Sequence, residues 1–311
     1  MTWHRASGAS AASGPASVEE SGAARTGAPR APLGVVITGS PAAPPVVLSP
    51  GLGMSAASWH RVVRDLAADH AVITYDRPGL GRQGHLRPLG PPSLRDELSR
   101  LDRAIDGWRA VAADPARPVV LVGHSMASFW VEAFARLHPR VVRGLVLVDG
   151  SIEEAPGPPA PGATTLRTWL GSVIAAVPGL LRTAGVALLE DAAYLGMAAD
   201  LHSIRAGHPL PPVPIVLLAA TRTGSTRWER RWLTRQEEWA RRLDIEQPGQ
   251  SDVRFEVVKR SGHRVMRDAP ERISAAVRSI EPAPRPGPGP ASDRDDHASV
   301  HSVERRSRDV S

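Results

Sequence analysis

The five residues Gly123-His124-Ser125-Met126-Ala127 follow the apolar run Val119–Val122 and open a helical pattern that reaches Leu137. A serine in a sharp turn from strand to helix has its hydroxyl exposed above the sheet. The N–H of the next residue, Met126, points to where an oxyanion would form, and the helix N-terminus adds positive potential. Small neighbours suit such a turn, because it forces backbone and helix together; Ala127 stands where a second glycine is usual. The competing reading is a helix cap, since serine caps helices whatever their chemistry.

A serine hydroxyl is a weak nucleophile until a base takes its proton, and the base is usually histidine. Ser261-Gly262-His263 follows the last apolar run and precedes the last helical pattern. A histidine on such a loop, at the C-terminal ends of the strands, can reach Ser125. His124 is nearer in sequence, but as the neighbour of the serine its side chain projects elsewhere. His60, His70, His138, His202 and His208 fall in helical patterns, at the wrong ends of elements or in the long insertion described below. A second oxyanion donor is the N–H of Leu52, in the glycine-bearing turn Pro50-Gly51-Leu52-Gly53. Asp76, at the end of another apolar run, reads as a structural hydrogen-bonding group.

These residues need a scaffold that brings distant turns to one edge. Apolar runs at Val35–Thr38, Val46–Ser49, Ala71–Tyr75, Val119–Val122, Gly144–Val148, Pro214–Ala219 and Val253–Val258 read as strands. Several are continuous Val/Leu/Ile, the pattern of parallel strands buried on both faces. Amphipathic stretches at Ser58–Ala68, Ser93–Ala112, Ala127–Leu137, Arg227–Leu243 and Ala269–Ile280 alternate with them. Strand and helix in alternation imply βαβ units and a sheet covered by helices on both sides. Between Asp149 and Pro214 the alternation stops, and an apolar helical region, Leu166 to Ile204, lies between proline-rich linkers. An insertion of that length in a compact domain is expected to be functional, and we read residues 150–212 as a helical lid. Pro178 and Arg182 interrupt its most apolar part, so no stable membrane insertion is expected.

Composition sets the remaining bounds. In 311 residues there are 30 prolines and 28 glycines, concentrated at the two ends and in the insertion. Residues 1–31 read as a flexible extension and 281–311 as a disordered tail, leaving one domain over 32–280. The net charge is +6 and Lys259 is the sole lysine. The arginines are interleaved with acids, as in Arg227–Arg242, so the charge reads as a solvated face and no nucleic-acid partner is expected. There is no cysteine, which excludes disulfides and thiolate catalysis. The histidines are isolated and the glycine turns lack phosphate-loop spacing, so neither a metal nor another cofactor is expected. The N-terminus lacks the apolar core of a secretory signal, which makes the cytoplasm the expected location.

Pro50-Gly51-Leu52-Gly53, Tyr75-Asp76-Arg77-Pro78-Gly79-Leu80-Gly81, Gly123-His124-Ser125-Met126, Leu145-Val146-Leu147-Val148-Asp149 and Ser261-Gly262-His263 match, in order and spacing, the α/β-hydrolase superfamily. The resemblance covers about residues 33 to 280. It implies an α/β fold with an eight-stranded, mostly parallel twisted sheet flanked by helices, a Ser-acid-His triad in that chain order, and a lid after the family's sixth strand. Pro50-Gly51 replaces the common His-Gly, which removes a side chain and keeps the backbone donor. The acid departs further. Most members carry it after the family's seventh strand, where this chain reads Ala219-Ala220-Thr221-Arg222-Thr223-Gly224-Ser225. Some place it after the sixth, the position of Asp149; Glu153 and Glu229 are the next candidates. The resemblance thus implies a serine hydrolase with Ser125, His263 and Asp149 as triad and the Leu52 and Met126 amides as oxyanion hole. Its substrate would be a small to medium hydrophobic ester or related acyl compound. Acyltransferase or haloperoxidase-like chemistry would use the same site. The alternative from another class is a member of this fold that has lost catalysis and binds a ligand or partner.

Overall fold

The computed structural model describes residues 34–152, 163–247 and 252–280. Seven strands form one sheet: β1 (Val35–Thr38), β2 (Pro45–Ser49), β3 (Ala71–Tyr75), β4 (Val119–His124), β5 (Val142–Val148), β6 (Ile215–Thr221) and β7 (Val253–Lys259). They lie in the order β1-β3-β2-β4-β5-β6-β7. Only β1 runs antiparallel, against β3; every other pairing is parallel. All seven coincide with apolar runs read from the sequence. The eighth strand implied by the family resemblance is absent among the described residues, which begin with β1 at the edge of the sheet.

Alternation along the central strands fills two separate cores. Val47, Leu121, Leu145, Leu147 and Leu217 face one side, under α2 (Leu94–Arg109), α3 (Ala127–Leu137) and α6 (Arg227–Ile245). Val46, Leu48, Val120, Val122, Val146 and Leu218 face the other, under α1 (His60–Leu66), α7 (Val265–Asp268) and α8 (Pro270–Ile280). This is the two-residue period of strands buried on both faces. Leu121 has no exposed surface, and truncating such a leucine to alanine costs about 2–5 kcal/mol. Local signals start the helices. Ser93 with Asp96, and Thr226 with Glu229, form capping boxes at α2 and α6.

Between β5 and β6 the chain adds α4 (Ala163–Ala175) and α5 (Leu180–Gly207). They are separated at Pro178-Gly179, where Gly179 has a φ of +80°. The two helices cross closely: a Cβ at Gly185 would lie 2.2 Å from the Ala175 nitrogen. On its inner face α5 buries Val186, Leu189, Ala193, Met197 and Leu201, and Tyr194 packs on Phe129 of α3, centroid to centroid 5.1 Å. Buried Glu132 of α3 accepts from Arg205 Nη2 at 2.7 Å, which ties down the far end of α5. Burial pushes the Glu132 carboxyl up, but Arg205 and Arg136 hold it below the ordinary value. Leu166, Trp169 and Leu180 are exposed on the outer side. Among the described residues no helix is long and apolar enough to cross a membrane. The terminal segments 1–33 and 281–311 lie outside the described residues.

Candidate active site

Ser125 sits between β4 and α3 with a φ of +54°. Non-glycine residues adopt that left-handed conformation rarely, and only where the surroundings hold them to it. The holding contacts are visible. The Ser125 N–H donates to the Val148 carbonyl at 3.0 Å, and the Ser128 N–H donates to the Ser125 carbonyl at 3.0 Å. Beneath the turn there is no room for a larger residue at Gly123, where a Cβ would come 2.6 Å from Val131 Cγ2. The turn is retained with Ala127 in place of glycine. Met126 occupies the cap position of α3, and no side chain caps that helix. The Ser125 hydroxyl is therefore free of the capping role and lies 3.0 Å from His263 Nε2.

His263 projects from the loop between β7 and α7. Three contacts fix that loop. The Ser261 N–H donates to the Thr221 carbonyl at 3.2 Å. The Gly262 N–H donates to Asp268 Oδ2 at 2.9 Å, and this bond holds the Asp268 carboxyl below its ordinary value, with Arg267 adding to it. The third partner is His124, which does not approach the Ser125 hydroxyl and instead meets the His263 carbonyl from Nε2 at 2.8 Å. A carbonyl only accepts, so His124 is protonated at Nε2. Its Nδ1 is buried without a partner. Burial, with the neighbouring His263 adding to it, pushes the His124 ring down to about 4.

The His263 Nδ1 meets Asp149 Oδ2 at 2.6 Å. A carboxylate accepts, so Nδ1 carries the proton and Nε2 presents its lone pair to the Ser125 hydroxyl. Asp149 follows directly on β5 with a φ of +44° and is 3% exposed, whereas half of the His263 side chain is open. Its other oxygen, Oδ1, accepts from the Ala220 N–H at 2.9 Å and from the Trp232 indole N–H at 2.8 Å. Glu229 stands elsewhere. It accepts from the Thr221 hydroxyl and the N–H groups of Arg222 and Thr223 at the start of α6. Bonds from Thr223, then from Arg222 and Thr226, hold its carboxyl far below the ordinary range. Glu153 lies outside the described residues. Asp76 accepts from the Ala56 and Arg82 N–H groups, a structural role.

The Pro50–Gly53 turn passes directly over the serine. A Cβ at Gly51 would lie 3.0 Å from Ser125 Cβ and 2.7 Å from His124 Nδ1. This turn carries the Leu52 N–H, and the Met126 N–H follows Ser125 at the start of α3. Buried Arg77 braces the turn from behind, donating to the Pro50 carbonyl at 2.7 Å and the Gly51 carbonyl at 2.6 Å. Glu190 of α5 accepts from Arg77 Nε at 2.6 Å. A cavity of about 530 Å³ borders this ion pair and is lined by neither Ser125 nor His263. A smaller one of about 300 Å³ takes in His263 with Arg222, Arg264 and Arg267.

Sequence reasoning missed Trp232, Arg77 and Glu190 as parts of the site. For Glu190 a signal existed: a carboxylate closing the apolar run Val186-Ala187-Leu188-Leu189 on a buried helix face requires a cation to meet it. No comparable local signal marks Trp232.

A model of the alpha/beta hydrolase family matches residues 46–276. Over 106 residues, 34% of this chain and 37% of the relative, the chain is 34% identical to "Putative carbamate hydrolase RutD" of Azorhizobium caulinodans. Over 105 residues, 34% of this chain and 30% of the relative, it is 29% identical to the (lyso)-N-acylphosphatidylethanolamine lipase of Mus musculus. The match thus spans about a third of the length of either relative. Cfl2 from Burkholderia cenocepacia has the same fold, with a TM-score of 0.56 at 18% identity over 79% of this chain and 90% of that one. So does the monoacylglycerol lipase of Paleococcus ferrophilus, with a TM-score of 0.54 at 19% identity over 79% of this chain and 97% of that one. With the family match running from β2 into α8, across every turn that assembles the Ser125 site, this chain belongs to the alpha/beta hydrolase family.

Proposed function

We propose that the protein is a serine hydrolase that cleaves an ester, or a related acyl bond, of a small to medium hydrophobic substrate. The observation that carries this reading is the continuous chain from Ser125 Oγ to His263 Nε2 at 3.0 Å and from His263 Nδ1 to Asp149 Oδ2 at 2.6 Å. Ser125 attacks the substrate carbonyl while His263 Nε2 takes the hydroxyl proton, and the Leu52 and Met126 N–H groups receive the oxyanion. Asp149 holds the imidazole in the productive tautomer and stabilises the imidazolium. The imidazolium then returns its proton to the leaving oxygen. Water, activated by the same nitrogen, hydrolyses the acyl-enzyme and restores Ser125.

The helices inserted between β5 and β6 act as a lid in this reading, and their apolar surface favours an apolar acyl chain. The family membership and the relatives named as hydrolase and lipase support the reaction class. The binding-only alternative rests on the missing acid after the family's seventh strand and on Ala127; the contact between Asp149 and His263 and the retained left-handed turn at Ser125 favour the hydrolase reading over it. Hydrolysis of p-nitrophenyl butyrate tests the assignment: Ser125→Ala is expected to abolish it, and a Ser125→Ala protein with undiminished turnover contradicts it.

A further inference from the structure

We infer that Glu190 and Arg77 are positioning residues for the oxyanion donor Leu52, so that the inserted helix α5, when seated, sets the reactive geometry at Ser125. This rests on the serine-hydrolase reading above. Every part of the link is a close polar contact. Arg77 donates from Nη1 to the Pro50 carbonyl at 2.7 Å, and from Nη2 to the Gly51 carbonyl at 2.6 Å and the Met54 carbonyl at 3.4 Å. The same guanidinium donates to Glu190, from Nε to Oε1 at 2.6 Å and from Nη2 to Oε2 at 3.2 Å. Glu190 Oε2 also accepts from the Gly53 N–H at 2.6 Å.

The geometry of a peptide unit turns these bonds into an orientation. The Gly51 carbonyl and the Leu52 N–H belong to one planar trans unit, in which C=O and N–H point in opposite directions. Arg77 holds the carbonyl, so the Leu52 N–H is held facing away from Arg77. The next N–H in the turn, that of Gly53, is held by Glu190 instead. The turn is thus fixed on both sides of the donor. A flipped Gly51–Leu52 unit would aim a carbonyl at the oxyanion and a proton at the guanidinium.

The pair depends on the insertion. Arg77 and Glu190 are each 2% exposed at the side chain. Without Glu190 the Arg77 charge would be buried against carbonyls and the face of Trp130, 5.5 Å from the ring centroid, with much of its compensation gone. Glu190 reaches the turn only while α5 lies on it, with Ala187 beside Gly53. A bidentate guanidinium–carboxylate contact defines direction as well as distance, which suits a latch. The pair also borders the cavity of about 530 Å³.

The test compares two ion pairs on one helix, in the full chain. Arg205 holds the far end of α5 through Glu132 of α3. Four quantities are measured: kcat and KM for p-nitrophenyl butyrate, the rate of Ser125 labelling by a fluorophosphonate, and Tm. Glu190→Gln is expected to lower kcat and the labelling rate at least about tenfold with KM nearly unchanged, the direction seen when an oxyanion donor is lost. Arg205→Gln is expected to lower Tm while both rates stay at wild-type level. Wild-type rates in a folded Glu190→Gln protein, or a change in KM alone, would overturn the inference and leave the serine-hydrolase reading standing. A wild-type Ser125 that the probe never labels overturns both. If Glu190→Gln does not fold, Glu190→Asp carries the same comparison, since it keeps the charge and withdraws the carboxylate from Gly53.

Discussion

The indole N–H of Trp232 donates to Asp149 Oδ1 at 2.8 Å, leaving Oδ2 to His263 at 2.6 Å. The two oxygens of one carboxylate are divided between a fixed donor and the imidazole, so the plane of the carboxylate is set before the imidazole meets it. Trp232 is stacked on Trp228 with an interplanar angle of 4°, which limits its own movement.

Trp232→Phe keeps the ring and removes the donor. A hydrogen bond to a charged group contributes about 1.5–3 kcal/mol, and part of that is expected to appear as a fall in kcat of about tenfold. The Ala220 N–H remains on Oδ1, so the activity is lowered rather than abolished. Steady-state kinetics with a p-nitrophenyl ester should show kcat falling at constant KM. A change confined to KM would place Trp232 in substrate binding instead.

The identity of the acid is tested by a pair of substitutions. Asp149→Asn keeps the shape and withdraws the charge facing His263, and is expected to lower kcat by about 10³–10⁴-fold, as the loss of the acid does in serine triads generally. Glu229→Gln weakens the start of α6, where the carboxylate gathers the Thr221, Thr223 and Thr226 hydroxyls. It is expected to lower Tm and to leave kcat near the wild-type value. The reverse pattern would assign the acid to Glu229.

Gly51 offers a steric test of the turn over the serine. In Gly51→Ala the new Cβ would meet His124 Nδ1 at 2.7 Å and Ser125 Cβ at 3.0 Å. Both neighbours belong to the anchored turn and cannot yield without moving it. Overpacking of this kind costs about 1–3 kcal/mol of stability. The larger effect is expected in kcat, through displacement of Leu52 from the oxyanion. Unchanged kcat in this variant would separate the Pro50–Gly53 turn from the reaction.

His124 gives the fold an acid-sensitive element. Its ring titrates at an ordinary value of 6.5 when unfolded and at about 4 when buried in the native state. Between those values the unfolded chain binds the proton and the native one does not, so stability falls as pH falls through that window and is fully present above it. At about 1.4 kcal/mol per unit the full loss is roughly 3–4 kcal/mol. His124→Gln retains a donor for the His263 carbonyl and does not titrate. Denaturant midpoints measured across the window should fall for the wild type relative to His124→Gln as pH falls. Parallel curves would remove His124 as the cause.

What was legible in the sequence follows the range of the contacts involved. The strands were legible because β2, β3, β4 and β6 are buried at every residue and so read as unbroken apolar runs. Ser125 and His263 were legible because each is specified by a short turn next to its own strand. Asp149 was put first because it occupies the position after the family's sixth strand, whereas its contact with His263, and the place of Glu229 in the cap of α6, depend on how distant loops meet. Trp232 reaches Asp149 across 83 residues, and Glu190 reaches Arg77 across 113. Those two contacts depend on how α5 and α6 sit on the sheet, which periodicity does not encode. The eighth strand was borrowed from the family resemblance rather than read from an apolar run, and the seven runs alone match the described sheet.

The most direct measurement is covalent labelling of the full chain with a fluorophosphonate, followed by peptide mass spectrometry to locate the adduct. The account predicts one adduct, on Ser125, that is absent in Ser125→Ala and forms far more slowly in His263→Ala. A wild-type protein left unlabelled, or an adduct that persists in Ser125→Ala, would contradict it.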